Sequence, residues 1–466
     1  MSAKLPLPSV LLLCLLLSAC GGGSPGSGGT SGTTSGGTTG GSTSGGSTGG
    51  TSTGSTTGGS TTGATSGGST TGGSTGGGST GGTTGGSTGG STGGSTGGST
   101  GGTTGGTTGG SIGTGPAARL SARLGRANRL LIGLGEGNDL SRINSQALRP
   151  DIYDRYLTGI GTGQWPEYVP GAPRGEYVNQ VAAAADSIGA IPMFTLYQMA
   201  ALGDGNLSIL DNRNVMTQYW SQTVLLFQRL ATYNRPALVS FEPDFWGYVQ
   251  QQTAGGDPTA RFAWVNITPE CATLPNDVTG VGRCLVRIAR QYAPRVAVGF
   301  PPSTFGDPVQ ANVEAFMNRI GAATADFVTM QTLDRDAGCF EAVPQPSYCQ
   351  RVRIPYYWDE SNQTSPNFRE HFAAAQSFGR AIGNLPLVWW QTPMGQPAAS
   401  SLGGRSKRWR DNRVNYFLTH GSELVAAGGM AVVFSTGEPN QTDISSDDGQ
   451  FQRLSNAYLL APAALP

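Results

Sequence analysis

Residues Ala237-Leu238-Val239-Ser240-Phe241 run straight into Glu242-Pro243-Asp244-Phe245-Trp246-Gly247-Tyr248. A short apolar run that stops at a polar loop reads as a buried strand delivering a chemistry-bearing turn. The same pattern recurs on both sides. Comparable runs lie at 129–134, 152–157, 191–197, 296–300, 327–331, 387–391 and 430–435, which makes eight with 237–241. Helical stretches intervene at 175–188, 215–233, 280–292, 309–320, 367–383 and 409–427. In the second of these, Val224, Phe227, Leu230 and Ala231 repeat at helical spacing. Strands alternating with helices imply parallel βαβ units. Eight such strands within residues 117–466, with long loops after them, predict an α/β fold of the (β/α)8 TIM-barrel type. The weakest strand is 152–157; were it a helix, an incomplete or open α/β barrel would replace the closed one.

Upstream of the barrel the composition changes completely. Residues 1–19 carry a basic Lys4 and the apolar run from Val10 to Leu17, as a bacterial signal peptide does. That run is shorter than the roughly 20 residues that span a bilayer. Leu17-Ser18-Ala19-Cys20 resembles a lipobox, which would make Cys20 the lipidated first residue of an exported lipoprotein. Gly21 follows, so no Asp argues for retention at the inner membrane, and the expected address is the cell envelope, at the outer membrane. From Cys20 to residue 116 the chain is almost only Gly, Ser and Thr. Such a segment buries too little surface to offset its chain entropy and is expected to be a disordered linker, about 55 Å end to end.

Composition excludes several function classes. The formal net charge of +0 argues against a nucleic-acid partner. His371 and His420 are the only histidines, both in predicted helices, so no His-rich metal site is expected. Gly133-Leu134-Gly135-Glu136-Gly137 opens like a dinucleotide fingerprint but has Asn138 where the last glycine belongs. No P-loop is present, and no G-x-S-x-G occurs outside the linker, so no cofactor is expected. Cys271 with Cys284, and Cys339 with Cys349, form two local pairs. In an exported chain these read as disulfides; a four-cysteine zinc site is the rival, though the spacing is not CxxC.

In a barrel of this type the active site lies at the carboxyl ends of the strands. Glu242 and Asp244 follow the fourth strand, Asp334, Arg335 and Asp336 the sixth, Trp390 and Gln391 end the seventh, and Glu438 follows the eighth. Converging carboxylates suit glycoside hydrolysis, where one is a protonated acid and the other a base or nucleophile. Burial against Phe245 or Trp246 would keep an acid loaded near neutrality. Trp165, Trp246, Tyr248 and Trp390 offer rings to sugar faces, and Arg335, Gln391, Asn412 and Arg413 offer hydrogen bonds. Carboxylates at strand ends also cap helices or pair with arginine, so a structural role stands beside each of these.

The segments Tyr153-Asp154-Arg155-Tyr156-Leu157, Glu242-Pro243-Asp244-Phe245-Trp246-Gly247-Tyr248, Asp334-Arg335-Asp336-Ala337, Trp390-Gln391-Thr392-Pro393 and Asp411-Asn412-Arg413-Val414 resemble a group of secreted bacterial (β/α)8 proteins called glycoside-hydrolase-like. The resemblance covers most of residues 129–450 and implies a barrel with a sugar-binding cleft. In the large clan of retaining barrel glycosidases the acid follows strand four and a glutamate nucleophile follows strand seven. Glu242 fits the first role, whereas Gln391 occupies the second position and cannot act as a carboxylate. Three readings stay open: another carboxylate (Asp334, Asp336 or Glu438) takes that role, the mechanism is inverting, or the domain binds glycan without cleaving it. The expectation is a surface-tethered, monomeric glycoside hydrolase with Glu242 as acid, Asp334 or Asp336 as its partner and Asp244 tuning. A non-catalytic glycan-binding or envelope-adhesion barrel is the alternative.

Overall fold

The computed structural model describes residues 113–332, 337–338, 357–396, 410–436 and 442–466. Cys20, the linker, Asp334, Arg335, Asp336, Cys339, Cys349 and Glu438 lie outside the described residues. Along the chain run α1 (Pro116–Arg123), β1 (Leu131–Leu134), α2 (Leu140–Ser145), β2 (Ile152–Thr158), α3 (Glu176–Ser187), β3 (Ile191–Tyr197), α4 (Arg213–Tyr233) and β4 (Ala237–Phe241). Then follow α5 (Phe245–Gln252), α6 (Val278–Tyr292), β5 (Val296–Phe300), α7 (Gln310–Arg319), β6 (Phe327–Gln331) and α8 (Phe368–Ala381). The described part ends with β7 (Leu387–Thr392), α9 (Arg413–Thr419), α10 (Gly421–Ala426), β8 (Gly429–Phe434) and α11 (Gln450–Leu460).

The eight strands are parallel and close on themselves in sequence order, β1 pairing with both β2 and β8. This is the (β/α)8 barrel expected from the sequence. The segment that carried the doubt is a full strand: β2 pairs with β3 at every position from Ile152 to Thr158. The open-barrel alternative is thereby removed.

Alternation along each strand separates two cores. Leu131, Ile152, Ile191, Met193, Leu238, Ala297, Phe327, Val388, Ala431 and Val433 fill the barrel interior. Residues of opposite parity, such as Phe194, Val239, Phe241, Val298 and Trp389, pack outward against the helices. Because both faces are buried, the strands read as continuous apolar runs. The helices start on side-chain caps where the sequence supplies them: Asn212 for α4, Asp277 for α6, and Asn367 with Glu370 as a capping box for α8.

Helix α1 has a special position. Its Ala117, Ala118, Leu120 and Leu124 join the interior cluster through the amino ends of the strands. Arg123 reaches Asp326, one residue before β6, and Arg126 donates to the carbonyl of Gly189, two residues before β3. The helix therefore covers the amino-terminal floor of the barrel, and the Gly115 amide meets the Pro466 carbonyl there at 2.7 Å.

Two differences from the sequence reading have local causes. The helix expected over 409–427 is two helices, broken at His420, whose ring stacks on Tyr416 at 3.9 Å. His420 thus sits at a junction and not inside a helix. Phe245–Gln252, read as loop, is helix α5. Cys271 and Cys284 form a disulfide with a Cα–Cα distance of 5.6 Å, as expected. Among the described residues no helix is long and apolar enough to cross a membrane.

Candidate functional site

The carboxyl end of the barrel is built by interior-facing residues one step above the apolar layers. On β2 the interior positions are Ile152, Asp154 and Tyr156; on β3 they are Met193, Thr195 and Tyr197. On β6, Phe327, Thr329 and Gln331 share that parity. The interior turns polar at this height. Ser240 of β4 and Thr329 of β6 lie 2.9 Å apart, and Asp154 accepts from the Thr195 hydroxyl and the Trp390 indole, each at 3.0 Å.

Strand β7 breaks the alternation with a bulge. Trp389 pairs with Val432 and Thr392 with Phe434, so β7 spends one more residue than β8 over the same span. Gln391 takes φ 51° at this point. Two consecutive side chains, Trp390 and Gln391, then both serve the mouth. Gln391 donates to the Tyr156 hydroxyl at 3.1 Å and accepts from Gln331 at 3.0 Å. Tyr156 lies edge-on to Tyr197, with centroids 6.1 Å apart, and tilted over Trp390 at 5.7 Å. The Tyr197 hydroxyl donates to Asp204. Burial, and then the charges of Asp244 and Asp204, raise the Tyr197 phenol above its usual range. Asp244 is half-buried, at the start of α5 with φ 67°.

Glu242 goes elsewhere. Continuing the alternation of β4 would carry it inward after Leu238 and Ser240, but its backbone adopts φ 53°. Its Oε2 accepts from the amides of Gln198 and Met199, both at 2.9 Å. Gln198 itself donates to Gln222 of α4. Glu242 is 0% exposed, beside Tyr219 of the same helix. The Tyr219 hydroxyl interacts electrostatically with the carboxyl, yet neither it nor Glu242 Oε1 completes a hydrogen bond of good geometry. Burial pushes the Glu242 carboxyl up to about 8, against the lowering effect of the two amides and Tyr219. Near neutrality it is mainly a protonated acid.

The other expected site residues separate into mouth and core. Gln391 and Trp390 are at the mouth, although Trp390 is only 1% exposed. Tyr248 is half-buried against Phe305 and lines a cavity of about 10 Å³ with Asp204, Pro243 and Phe245. Trp246 donates to the Phe241 carbonyl and packs on Phe245 and Phe300; it offers no face to a ligand. Trp165 is fully buried. Arg413, also fully buried, is ion-paired with Asp411 at 2.6 Å and lies over the Trp358 ring. Asn412 donates to the Trp358 carbonyl. Trp246, Trp165, Asn412 and Arg413 therefore build walls, and none presents an open surface in this conformation. Among the described residues no group of three His, Cys, Asp or Glu is placed to hold a metal ion.

Asp154, Tyr156, Tyr197 and Gln331 were not singled out from the sequence as site residues. The available signal was slight: a carboxylate in a short strand with Arg155 beside it and an aromatic residue two positions on, which share a face only if the segment is a strand.

No protein-family model and no curated protein matches the sequence. Solved structures with a similar chain path include virulence factor SghA from Agrobacterium tumefaciens, at 14% identity, covering 73% of this chain and 99% of that one, with a TM-score of 0.40. A family 1 β-glucosidase from Thermotoga maritima matches at 14% identity over 68% of this chain and 84% of its own, with a TM-score of 0.37. A D-psicose 3-epimerase from Clostridium cellulolyticum H10 matches at 12% identity over 71% and 97%, with a TM-score of 0.32. The structural neighbours thus include glycoside hydrolases, at a level of likeness that carries no argument about activity.

Proposed function

We propose that this chain is a glycoside hydrolase, tethered to the cell envelope through lipidated Cys20, that cleaves a polysaccharide or envelope glycan at the barrel mouth. The observation that carries the reading is the mouth itself. Tyr156 and Tyr197 supply rings, Gln331 and Gln391 supply amides, and Asp244 supplies a carboxylate, all at the carboxyl ends of the strands. Glu242 is the reserve of acid, held protonated by burial, and Asp334 or Asp336, which follow β6 in the sequence, provides the base or nucleophile. Proton delivery from Glu242 requires the turn at Gln198 and Met199 to release its carboxyl, because that turn encloses it.

The enclosure favours a second reading, in which the mouth binds glycan and Glu242 only buttresses the β3 turn. One experiment divides them. The detergent-solubilised full chain is incubated with xylan, cellulose, chitin and peptidoglycan, and new reducing ends and bound polysaccharide are measured. Turnover that disappears in Glu242→Gln, with the circular dichroism of the folded protein retained, supports hydrolysis. Binding without cleavage supports the second reading, and equal turnover in parent and Glu242→Gln removes Glu242 as the acid. Loss of membrane association in Cys20→Ala tests the anchor.

A further inference from the structure

Asp154 stands where an ordinary barrel has an apolar interior residue. It is 0% exposed, and its neighbours along the same face of β2 are Ile152 below and Tyr156 above. A carboxylate moved from water to such a place costs several kcal/mol unless neighbours compensate. Among the described residues no cation bonds to its carboxyl. Arg155, beside it on β2, turns its guanidinium over the Tyr153 ring, 3.8 Å from the centroid, and donates to the Asn138 carbonyl. The other charge acting on it is Glu136, from the loop after β1. Around it β3 presents Thr195, β7 presents Trp390 and β8 leads to Ser435, none of which is charged. On the β1 side Gly135 packs closely against it; a Cβ there would stand 3.3 Å from Asp154 Oδ2. A purely structural polar residue could be asparagine at this point.

We propose that Asp154 is a positioning residue of the mouth: its two carboxyl oxygens hold the Trp390 indole and the Thr195 hydroxyl, fixing the ring over which Tyr156 lies. Only the nature of the ligand above Tyr156 rests on the carbohydrate reading. Burial places the carboxyl at about 7, so acid and carboxylate coexist near neutrality. A carboxylate accepts the indole proton more strongly than a carboxylic acid does. The grip on Trp390 therefore tightens as pH rises through this range.

The test needs no substrate. Tryptophan emission of the full chain is recorded from pH 5.5 to 8.5, and the Trp390→Phe spectrum is subtracted to isolate Trp390. A step in the difference spectrum with a midpoint near 7 is expected. Asp154→Asn, which keeps one acceptor and does not titrate, abolishes the step while leaving the circular dichroism unchanged. Thr195→Val removes a donor from the carboxylate and moves the midpoint upward by about half a unit or more. A flat difference spectrum in the parent, a step that persists in Asp154→Asn, or a midpoint indifferent to Thr195→Val would each overturn the proposal. Should Asp154→Asn not fold, the parent and Thr195→Val measurements decide it. A step that behaves as described in a protein that neither binds nor cleaves any polysaccharide supports the positioning role and removes the carbohydrate reading alone.

Discussion

Glu242 and Gln391, the residues that follow the apolar cores of β4 and β7, share one backbone device: φ is 53° at the first and 51° at the second. Non-glycine residues in this region carry on the order of 1 kcal/mol of strain and persist where the surroundings enforce them. The consequences differ. At Gln391 the turn adds a side chain to the mouth; at Glu242 it takes one away, toward Tyr219 and the β3 turn.

Gln391→Gly relieves the left-handed strain and loses the hydrogen bonds to Tyr156 and Gln331. The relief of about 1 kcal/mol and losses of about 1 kcal/mol per bond leave a small net destabilisation. Gln391→Val makes the same losses and adds a β-branched residue at positive φ. We expect it to melt clearly below the glycine variant, and thermal unfolding of the pair measures the difference.

Stability should rise on mild acidification. Burial raises Glu242 from 4.5 to about 8 and Asp154 from 3.8 to about 7. A raised carboxyl binds more protons folded than unfolded, so its contribution is full below the unfolded value and is lost as pH climbs through the folded one. His371, lowered to about 3 by burial and then by Arg413, acts oppositely, but only below about 6.5. Between pH 8 and 6.5 the two carboxyls should therefore add about 2 kcal/mol, at up to about 1.4 kcal/mol per group per pH unit. Urea unfolding at the two pH values checks this, and Glu242→Gln should remove most of the difference.

Asp411 accepts from the Arg413 guanidinium at 2.6 Å, from the Arg413 amide at 2.7 Å and from the Ala337 amide at 2.9 Å, all in a fully buried setting. Asp411→Ala removes the carboxylate that faces Arg413 and should cost about 3–5 kcal/mol. The same change should also loosen the segment at Ala337, which amide hydrogen exchange would report.

The Cys271–Cys284 bridge closes a sequence separation of 13 residues between the loop before α6 and the helix itself. Its removal as Cys271→Ala/Cys284→Ala should destabilise by about 3 kcal/mol, mainly by freeing the unfolded chain. Denaturant midpoints of the oxidised parent and the double variant give the value.

Much of the barrel was legible because both faces of each strand are buried. The runs at 191–197, 237–241, 296–300 and 327–331 coincide with β3, β4, β5 and β6, since a short, mostly apolar stretch bounded by polar residues has few other uses. Strand β2 was the least legible, because Asp154 and Arg155 interrupt its apolar run, so the interior placement of Asp154 and Tyr156 had to come from the structure. What could not be read was direction after the strand ends. A positive φ at a glutamate or a glutamine leaves no glycine to mark it, so Glu242 reads as a mouth residue although its carboxyl lies under a neighbouring turn. The aromatic cluster at 245–248 has helix-compatible spacing and no breaker but Gly247, and α5 buries Phe245 and Trp246 as a helix face. Helix α1 was hidden by its neighbourhood, since Pro116 and Ala117 follow directly on the Gly/Ser/Thr tract.

Helix α1 seals the end of the barrel where the chain arrives, and Pro466 leaves beside it. Both ends of the described chain therefore meet at the amino-terminal pole of the barrel, opposite Tyr156, Tyr197 and Gln391 at the carboxyl ends of the strands.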